Sequence, residues 1–214
     1  METMTDFFAA RVEGYDTHML DEVEGCREGY EKITQLAPEG TRFILDLGCG
    51  TGLELEPLFR RFPQMQVTGI DLTREMLERL RKKFPEKQMN LIEGDYFATE
   101  FGREAFDLAV SFQTMHHFSK EKKLGLYRRI FRALKPGGQY LECDYMVENQ
   151  AEEDYWFAEN QRIRREEGIP EDAFYHYDTP CTIQNQVDLF LKAGFSSSEM
   201  VWRVENTTLI VSKK

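Results

Sequence analysis

Short apolar runs alternate with segments of helical periodicity along most of the chain. Between residues 40 and 146, five runs have the length and composition of buried strands: FILDL, QVTGI, MNLIE, FDLAVSFQ and GQYLECDYM. The segments between them repeat apolar residues at helical spacing, as Leu53, Leu55 and Leu58 do in LELEPLFRRF. This alternation predicts an α/β fold with a doubly wound, mostly parallel sheet and helices on both faces.

Further elements are predicted on either side of these five strands. Residues 5 to 36 have a helical pattern with a break near Gly14, and TIQNQVDLFLKAG is a helix closed by Gly194. The terminal segment SEMVWRVENTTLIVSKK predicts an antiparallel hairpin that turns near Glu205 and Asn206. The hairpin brings the predicted sheet to seven strands.

The length predicts one domain, because 214 residues suffice for one sizeable core and not for two. Within it we expect an N-terminal helical cap at 1–39, a core at 40–146, an insertion at 147–181 and the last helix and hairpin at 182–214. Thr73 and Ser119 are predicted helix N-caps, and the Pro136-Gly137-Gly138 run is predicted to stop the helix that follows Ser119.

Composition narrows the range of partners. The net charge of −11 and the pI of about 5.0 disfavour nucleic acid or an anionic membrane as a partner. No run reaches the ~20 apolar residues of a membrane span, and the N-terminus has no signal-peptide pattern. The four cysteines form no C-x-x-C pair and are expected to be reduced thiols, which predicts a cytoplasmic protein.

Three glycines follow the first strand at alternate positions, Gly48, Gly50 and Gly52. Glycine at a strand-to-helix turn permits positive φ and lets a ligand approach the backbone near the helix N-terminus. A dinucleotide fingerprint would have its third glycine one place later, where Leu53 stands. Asp46 just before the loop suits a ligand with an ammonium or sulfonium group better than a pyrophosphate. A tight turn without a ligand is the alternative.

Acidic residues end the next two strands. Asp71 comes about 20 residues after the glycine loop, where an acid typically accepts ribose hydroxyls. Asp95 and Tyr96 follow the third strand, where an acid beside an aromatic ring can bind an adenine. The pattern therefore favours a nucleoside with a cationic group as the ligand.

Five segments, LDLGCGTG, GIDLTREML, EGDYF, FDLAVSFQTMHHF and LKPGGQYLECDYM, resemble in order and spacing the motifs of the class I S-adenosylmethionine-dependent methyltransferases. The resemblance covers about residues 40 to 146, and both ends of the chain resemble the small-molecule branch that includes the quinone-biosynthesis enzymes. It implies a Rossmann-like methyltransferase fold, S-adenosyl-L-methionine as cofactor and methyl transfer to a small-molecule acceptor. The 147–181 insertion departs from the quinone branch, so the acceptor stays open.

The resemblance also implies the cofactor-binding residues. Asp46 and the glycine loop would hold the methionine part, Asp71 the ribose, and Asp95 the adenine amine. Ser111 and Gln113 would pass close to the methyl group, and Tyr15, with Arg11 a weaker candidate, would close over the carboxylate. The set predicted to bind the cofactor is Tyr15, Asp46, Gly48, Cys49, Gly50, Gly52, Asp71, Leu72, Asp95, Tyr96, Ser111 and Gln113. The alternatives are a turn cap for Asp46, a helix cap for Asp71 and simple packing for Tyr15.

A protein base is needed only if the acceptor loses a proton as it attacks. The candidates are His116, His117 and Asp144, which follow the fourth strand or end the fifth at the edge where ligands bind. Asp144 as a buried hydrogen-bond acceptor is the alternative. No metal site is predicted, because adjacent histidines are expected to point their rings apart and His176 stands isolated in the sequence.

The acceptor pocket is expected between the N-terminal helices and the insertion. The insertion is rich in aromatic residues, which suit an apolar pocket, and it is predicted to form a mobile lid whose helix docks beside the N-terminal helices. Oligomeric state is left as monomer or homodimer. Two other functions stay open: S-adenosylmethionine binding without methyl transfer, and an NAD-type oxidoreductase, which the glycine spacing disfavours.

Overall fold

The computed structural model describes residues 1–170 and 173–214; Glu171 and Asp172, inside the predicted insertion, lie outside the described residues. The strands are β1 Phe43–Leu47, β2 Gln66–Asp71, β3 Met89–Glu93, β4 Phe106–Phe112, β5 Leu134–Tyr145, β6 Ser197–Val204 and β7 Thr207–Lys213. The α-helices are α1 Met4–Arg11, α2 Tyr15–Asp21, α3 Cys26–Leu36, α4 Leu55–Arg61, α5 Arg74–Lys83, α6 Lys120–Ala133, α7 Gln150–Glu167 and α8 Ile183–Ala193. A short 3₁₀ helix spans Met115–His117.

The described residues form a seven-stranded sheet in the order β3-β2-β1-β4-β5-β7-β6. The first five strands are parallel to their neighbours, and β7 runs antiparallel to both β5 and β6. This confirms the predicted fold class, including the terminal hairpin. The chain order reverses between β1 and β4, which places a crevice at the carboxyl ends of those two strands.

Both faces of the sheet are covered, because the central strands β1 and β4 are apolar at every position except Asp46, Asp107 and Ser111. Alternate residues of a strand point to opposite faces. Ile44 and Val110 pack with α3 and α4 on one face, whereas Leu45 and Ala109 pack with α6 and α8 on the other. Each fully buried aliphatic side chain of this kind contributes about 1.5–3 kcal/mol to stability.

Most of the predicted element boundaries are confirmed, and one is wrong. Ser119 caps α6 by accepting the N–H of Lys122, and the hairpin turns at Glu205 and Asn206. Thr73 stands at the N-cap of α5, but its side chain makes no capping hydrogen bond. The Pro136-Gly137-Gly138 run lies inside β5 and does not stop α6, which ends at Ala133. The strand begins early because Leu134 pairs with Phe106 before the register shifts.

The 147–181 insertion is anchored at several points. Glu153 of α7 is fully buried, forms an ion pair with Lys120 and accepts the backbone N–H of Thr182 at 2.6 Å. The N-terminal ammonium group forms an ion pair with Glu167 at the end of α7.

Among the helices that the structure describes, none combines the length and the apolar character of a bilayer span.

Candidate active site

The glycine loop, Asp71 and the segment after β4 meet at the carboxyl ends of β1, β2 and β4. Gly48 and Cys49 donate their backbone N–H groups to the carbonyl of Ile70 at 2.8 and 3.1 Å, which fastens the loop to β2. Gly52 donates to the carbonyl of Cys49 at 2.8 Å. These three N–H groups are therefore already used within the protein.

Two of the loop glycines have different roles. Gly52 has a φ of 76°, and a Cβ there would lie 2.4 Å from Cδ1 of Leu80, so this glycine permits close packing of α5 on the loop. Gly50 has a φ of 45°, and a Cβ there would meet no atom closer than 3.8 Å, in the ring of Tyr15. Gly50 therefore faces the crevice and Gly52 faces the core.

Asp71 connects β2 to the glycine loop. Its Oδ2 accepts the N–H of Gly50 at 2.9 Å, and its Oδ1 accepts the N–H of Thr73 at 2.8 Å. Burial raises the pKa of Asp71, while these two backbone donors act against the rise. Asp71 thus caps the start of α5 through the N–H of Thr73, as its alternative role predicted. Asp71 also lines the crevice, where its remaining lone pairs can accept hydrogen bonds from hydroxyl groups.

Asp46 is fully buried beside a second acid, Glu54. Neither oxygen of Asp46 accepts a hydrogen bond from a donor among the described residues. Burial, and next the charge of Glu54, raise the pKa of Asp46; burial raises the pKa of Glu54 to about 7. Two such carboxyl groups are stable only when they share a proton or neutralise a cation. An acid pair under the loop therefore fits a ligand that carries positive charge.

A narrow crevice of about 40 Å³ lies above the loop. Its walls include seven of the predicted cofactor-binding residues and also Met4, Phe8, Thr73, Met76, Phe112 and Thr114. The predicted residues present are Tyr15, Gly48, Gly50, Asp71, Leu72 and Tyr96, together with Gln113 as a seventh residue where the chain leaves β4. Helices α1 and α2 contribute Phe8 and Tyr15 from above, so these helices cover the crevice. Small ligands occupy about 300–1,000 Å³, so a ligand enters only when this cover moves.

A second cavity of about 980 Å³ adjoins the crevice and shares three wall residues with it: Phe8, Tyr15 and Gln113. Gln113 is held in a left-handed conformation, with a φ of 48°, and its side-chain amide donates to Oγ1 of Thr207 at 3.2 Å. A left-handed non-glycine residue marks stored backbone strain, which is common at functional sites. The two cavities thus meet where the methyl group was predicted to lie.

Five predicted cofactor-binding residues lie outside both cavities, namely Asp46, Cys49, Gly52, Asp95 and Ser111. The carboxylate of Asp95 accepts the N–H of Phe97 at 2.7 Å and stabilises its own turn. The hydroxyl of Ser111 bonds that of Tyr140 at 2.7 Å inside the core. Ser111 points to the α6 side because the alternation along β4 sends it away from the crevice.

Arg11 and Tyr15, the residues expected to close over the cofactor carboxylate, both line the large cavity, and Tyr15 also lines the crevice. Arg11 donates to the carbonyl of Phe7 at 2.9 Å and pairs with Glu2. Burial raises the pKa of Tyr15 well above its usual value, so its hydroxyl stays protonated at neutral pH.

The three predicted catalytic residues lie together at the base of the large cavity. Nδ1 of His116 is hydrogen-bonded to Oδ1 of Asp144, whose Oδ2 accepts the N–H of Met115 at 2.7 Å. Asp144 is therefore a buried acceptor that orients His116, as its alternative reading proposed. His116 and His117 both line the cavity.

The two adjacent histidines of this cluster have pKa shifts in opposite directions. Burial disfavours the charged form of His116, but Asp144 and then Asp178 outweigh it and raise the pKa of His116 to about 10. Burial and the charge of His116 lower the pKa of His117. Burial lowers the pKa of His176 to about 4. His117 and His176 are therefore neutral at pH 7 and can accept a proton, whereas His116 is charged.

The two adjacent rings do not diverge as the sequence suggested. The ring centroids of His116 and His117 lie 4.0 Å apart, and that of His176 lies 4.9 Å from His117. The sequence reasoning missed Asp178, which lies 3.3 Å from His117 and 3.5 Å from His116. The only sequence signal for it was a polar residue in the HYDTP stretch.

The large aromatic side chains of the insertion do not line the large cavity. Tyr155 is 57% exposed, and Trp156 packs against it and Tyr177. Among the aromatic side chains that the insertion contributes, that of His176 lines the large cavity. The apolar walls come instead from the N-terminal helices, through Phe7, Phe8 and Tyr15.

Comparison with known proteins matches residues 44–138 to the family described as "Methyltransferase domain". The chain is 37% identical over 106 residues to the biotin biosynthesis bifunctional protein BioHC of Teredinibacter turnerae, covering 45% of this chain and 18% of that protein. It is 32% identical over 125 residues to the trans-aconitate 2-methyltransferase of Rhodopseudomonas palustris, covering 58% of this chain and 46% of that protein. The chain thus spans less than half of the length of these two relatives.

Solved structures share the fold at low identity. A phosphoethanolamine N-methyltransferase of Haemonchus contortus superimposes with a TM-score of 0.68 at 23% identity, over 92% of this chain and 44% of that one. Human N-acetylserotonin methyltransferase, solved with S-adenosylmethionine, gives a TM-score of 0.63 at 18% identity, over 98% of this chain and 55% of that one.

The fold and the matched core are those of a class I S-adenosylmethionine-dependent methyltransferase. The resemblance predicted from the ordered motifs is thereby confirmed for residues 44–138. The finer resemblance to quinone-biosynthesis enzymes stays a prediction.

Proposed function

We propose that the protein transfers a methyl group from S-adenosyl-L-methionine to a small-molecule acceptor bound in the large cavity. One observation carries the proposal: the crevice beside the glycine loop and Asp71 adjoins the 980 Å³ cavity and shares the wall residues Phe8, Tyr15 and Gln113 with it. A donor in the crevice and an acceptor in the cavity would meet at that junction.

The crevice residues fit this cofactor. Asp71 has lone pairs for ribose hydroxyls, and Leu72 and Tyr96 offer apolar surface to an adenine. The Asp46–Glu54 acid pair does not line the crevice, but it is buried under the glycine loop, where its negative charge favours a cation nearby. The cofactor supplies a methyl group already activated by a positive sulfur. The chain itself contributes alignment and the exclusion of water, because helices α1 and α2 cover the crevice.

Neutral His117 is the proposed base for an acceptor that must lose a proton. It lines the acceptor cavity, and its lowered pKa leaves a free ring nitrogen at neutral pH. His116 is charged and fixed by Asp144, so its contribution is to orient and attract an acceptor oxygen. We expect the protein to act in the cytoplasm, because its four cysteines are buried free thiols. We expect it to be a monomer or a homodimer.

Calorimetry with S-adenosylhomocysteine and with NAD tests the cofactor. Binding of S-adenosylhomocysteine at micromolar strength, about −8 kcal/mol, with no heat from NAD supports the proposal. Incubation with methyl-labelled cofactor and fractionated metabolites then tests transfer. Cofactor binding without labelled product in any fraction would favour a protein that binds the cofactor and transfers nothing, and NAD binding alone would overturn the class of reaction.

A further inference from the structure

Three side-chain atoms converge at the base of the large cavity. Nε2 of His116 and Nδ1 of His117 lie 3.5 and 3.3 Å from the same atom, Oδ1 of Asp178. All three atoms lie within 4.8 Å of one another. A tetrahedral divalent ion with bonds of about 2.0–2.1 Å holds neighbouring ligand atoms about 3.3 Å apart. The two measured separations have that length.

No hydrogen bond of normal geometry joins these three atoms, although charged His116 and Asp178 form an ion pair. Oδ1 of Asp178 is buried and accepts no hydrogen bond from the described residues, although two ring nitrogens face it. Buried carboxylate oxygens nearly always have a partner. A metal ion placed between the three atoms would give each of them one, and on binding it would displace the proton that charged His116 carries on Nε2.

The surroundings hold these groups in place. His116 is fixed through Nδ1 by Asp144, which leaves Nε2 directed at Asp178. A metal-binding histidine commonly donates its other ring nitrogen to a carboxylate in this way. The backbone carbonyl of His116 also accepts the N–H and the hydroxyl of Thr179, at 2.6 and 3.0 Å, which ties the segment carrying Asp178 to the histidines.

We propose that His116, His117 and Asp178 bind a divalent transition-metal ion, with Zn²⁺ as the first candidate, at a site open to the large cavity. Two imidazoles and one carboxylate suit zinc and similar ions, and three protein ligands leave a coordination position for another oxygen. All three residues line the cavity, so that position faces the space proposed for the acceptor.

One consequence rests on the proposed function, whereas the metal site itself does not. The acceptor class would be a small molecule with a hydroxyl group that binds the ion through its oxygen. The O–H bond breaks, its electron pair stays on the metal-bound oxygen, and the proton leaves to water in the cavity. With the ion bound, His117 is a ligand, so the base role proposed above for its neutral ring passes to water in the cavity.

The rival is an ion-pair network without a metal. In it, protonated His116 lies between Asp144 and Asp178, and His117 donates from Nδ1 to the carbonyl of Tyr177, which is 3.4 Å away. Both arrangements use the same side chains, so metal binding has to be measured directly.

The test is titration of the chelator-treated full chain with Co²⁺, followed by visible absorption, and with Zn²⁺, followed by calorimetry. The proposal expects one ion per chain and tetrahedral or five-coordinate cobalt absorption. His117→Ala and Asp178→Asn should abolish it, and Asp144→Asn should weaken affinity about 10- to 100-fold. His18→Ala removes an imidazole from the wall of the same cavity and should leave the affinity unchanged.

X-ray absorption of the zinc-loaded wild-type chain gives a readout that needs no variant. Nitrogen and oxygen neighbours at about 2.0–2.1 Å with imidazole scattering support the site. Absence of stoichiometric binding, or equal affinity in Asp178→Asn, would overturn it. S-adenosylhomocysteine binding measured in the same samples separates the two proposals, since either can fail while the other stands.

Discussion

Asp71 at the end of β2 accepts the backbone N–H of Gly50 at 2.9 Å, so one carboxylate joins the second strand to the glycine loop. The same carboxylate lines the crevice through its remaining lone pairs. The loop conformation and the proposed ribose site therefore depend on one side chain.

Replacing Asp71 by asparagine should weaken S-adenosylhomocysteine binding about 10- to 100-fold, because hydrogen bonds to a charged group are worth about 1.5–3 kcal/mol. Calorimetry gives the affinity, and circular dichroism checks the fold. Asp95→Asn is the control, since Asp95 caps its own turn outside the crevice, and its affinity should stay within about twofold of wild type. Equal loss in both variants would remove Asp71 from the cofactor site.

The two loop glycines should respond differently to alanine. Gly52→Ala should destabilise the fold by about 1–3 kcal/mol, because its Cβ would overlap Leu80. Gly50→Ala should cost only the backbone strain of positive φ, about 1 kcal/mol, and should reduce cofactor affinity. Urea unfolding and calorimetry distinguish the effects. A Gly52→Ala protein as stable as wild type would contradict the close packing of Leu80.

Glu142 should make stability depend on pH. Burial, and next the charge of Asp144, raise its pKa to about 8, while Lys123 and the hydroxyls of Tyr140 and Tyr127 act against the rise. A folded pKa above the unfolded value of about 4.3 means that folding binds a proton between these pH values. Stability from this group is therefore complete below about pH 4 and is lost as pH rises to about 8.

Glu142→Gln should remove that dependence, since the amide stays neutral at every pH. The free energy of unfolding, measured in urea from pH 5 to 9, should fall less steeply in the variant, by up to about 1.4 kcal/mol per pH unit within the window. Glu148→Gln, on the exposed side of the 147–181 insertion, should keep the wild-type profile. Parallel profiles for wild type and Glu142→Gln would show that Glu142 is ionised in the folded protein.

Hydrogen exchange should identify the cover of the crevice. The amides of α1 and α2 should exchange faster than those of β1 and become protected with S-adenosylhomocysteine, because these helices must move to admit it. If the 147–181 insertion is the predicted lid, its amides should also exchange fast without ligand and become protected when cofactor and acceptor are both present. Slow exchange in both segments, with and without ligand, would mean a fixed cap and a different entry route.

Local patterns in the sequence determined the elements and the family. Apolar runs of strand length, a G-x-G-x-G turn and acids at successive strand ends are short-range features, and the sheet placed Gly50 and Asp71 together as that pattern predicts. Tertiary structure alone decided which side chains face the crevice. Ser111 and Asp95 fit the motif by position, but strand alternation turns the first into the core and a local turn occupies the second.

The position of Asp178, the acid beside the histidines, was also decided by tertiary structure and not by a local pattern in the sequence. Asp178 is 61 or 62 residues from His117 and His116 in the chain and carries no motif of its own; packing of the insertion brings it to 3.3 Å from His117. The sequence determined what is set by neighbouring residues, namely strand, turn and helix. The structure decided what depends on the return of a distant segment to the same sheet edge, because no local periodicity encodes where such a segment packs.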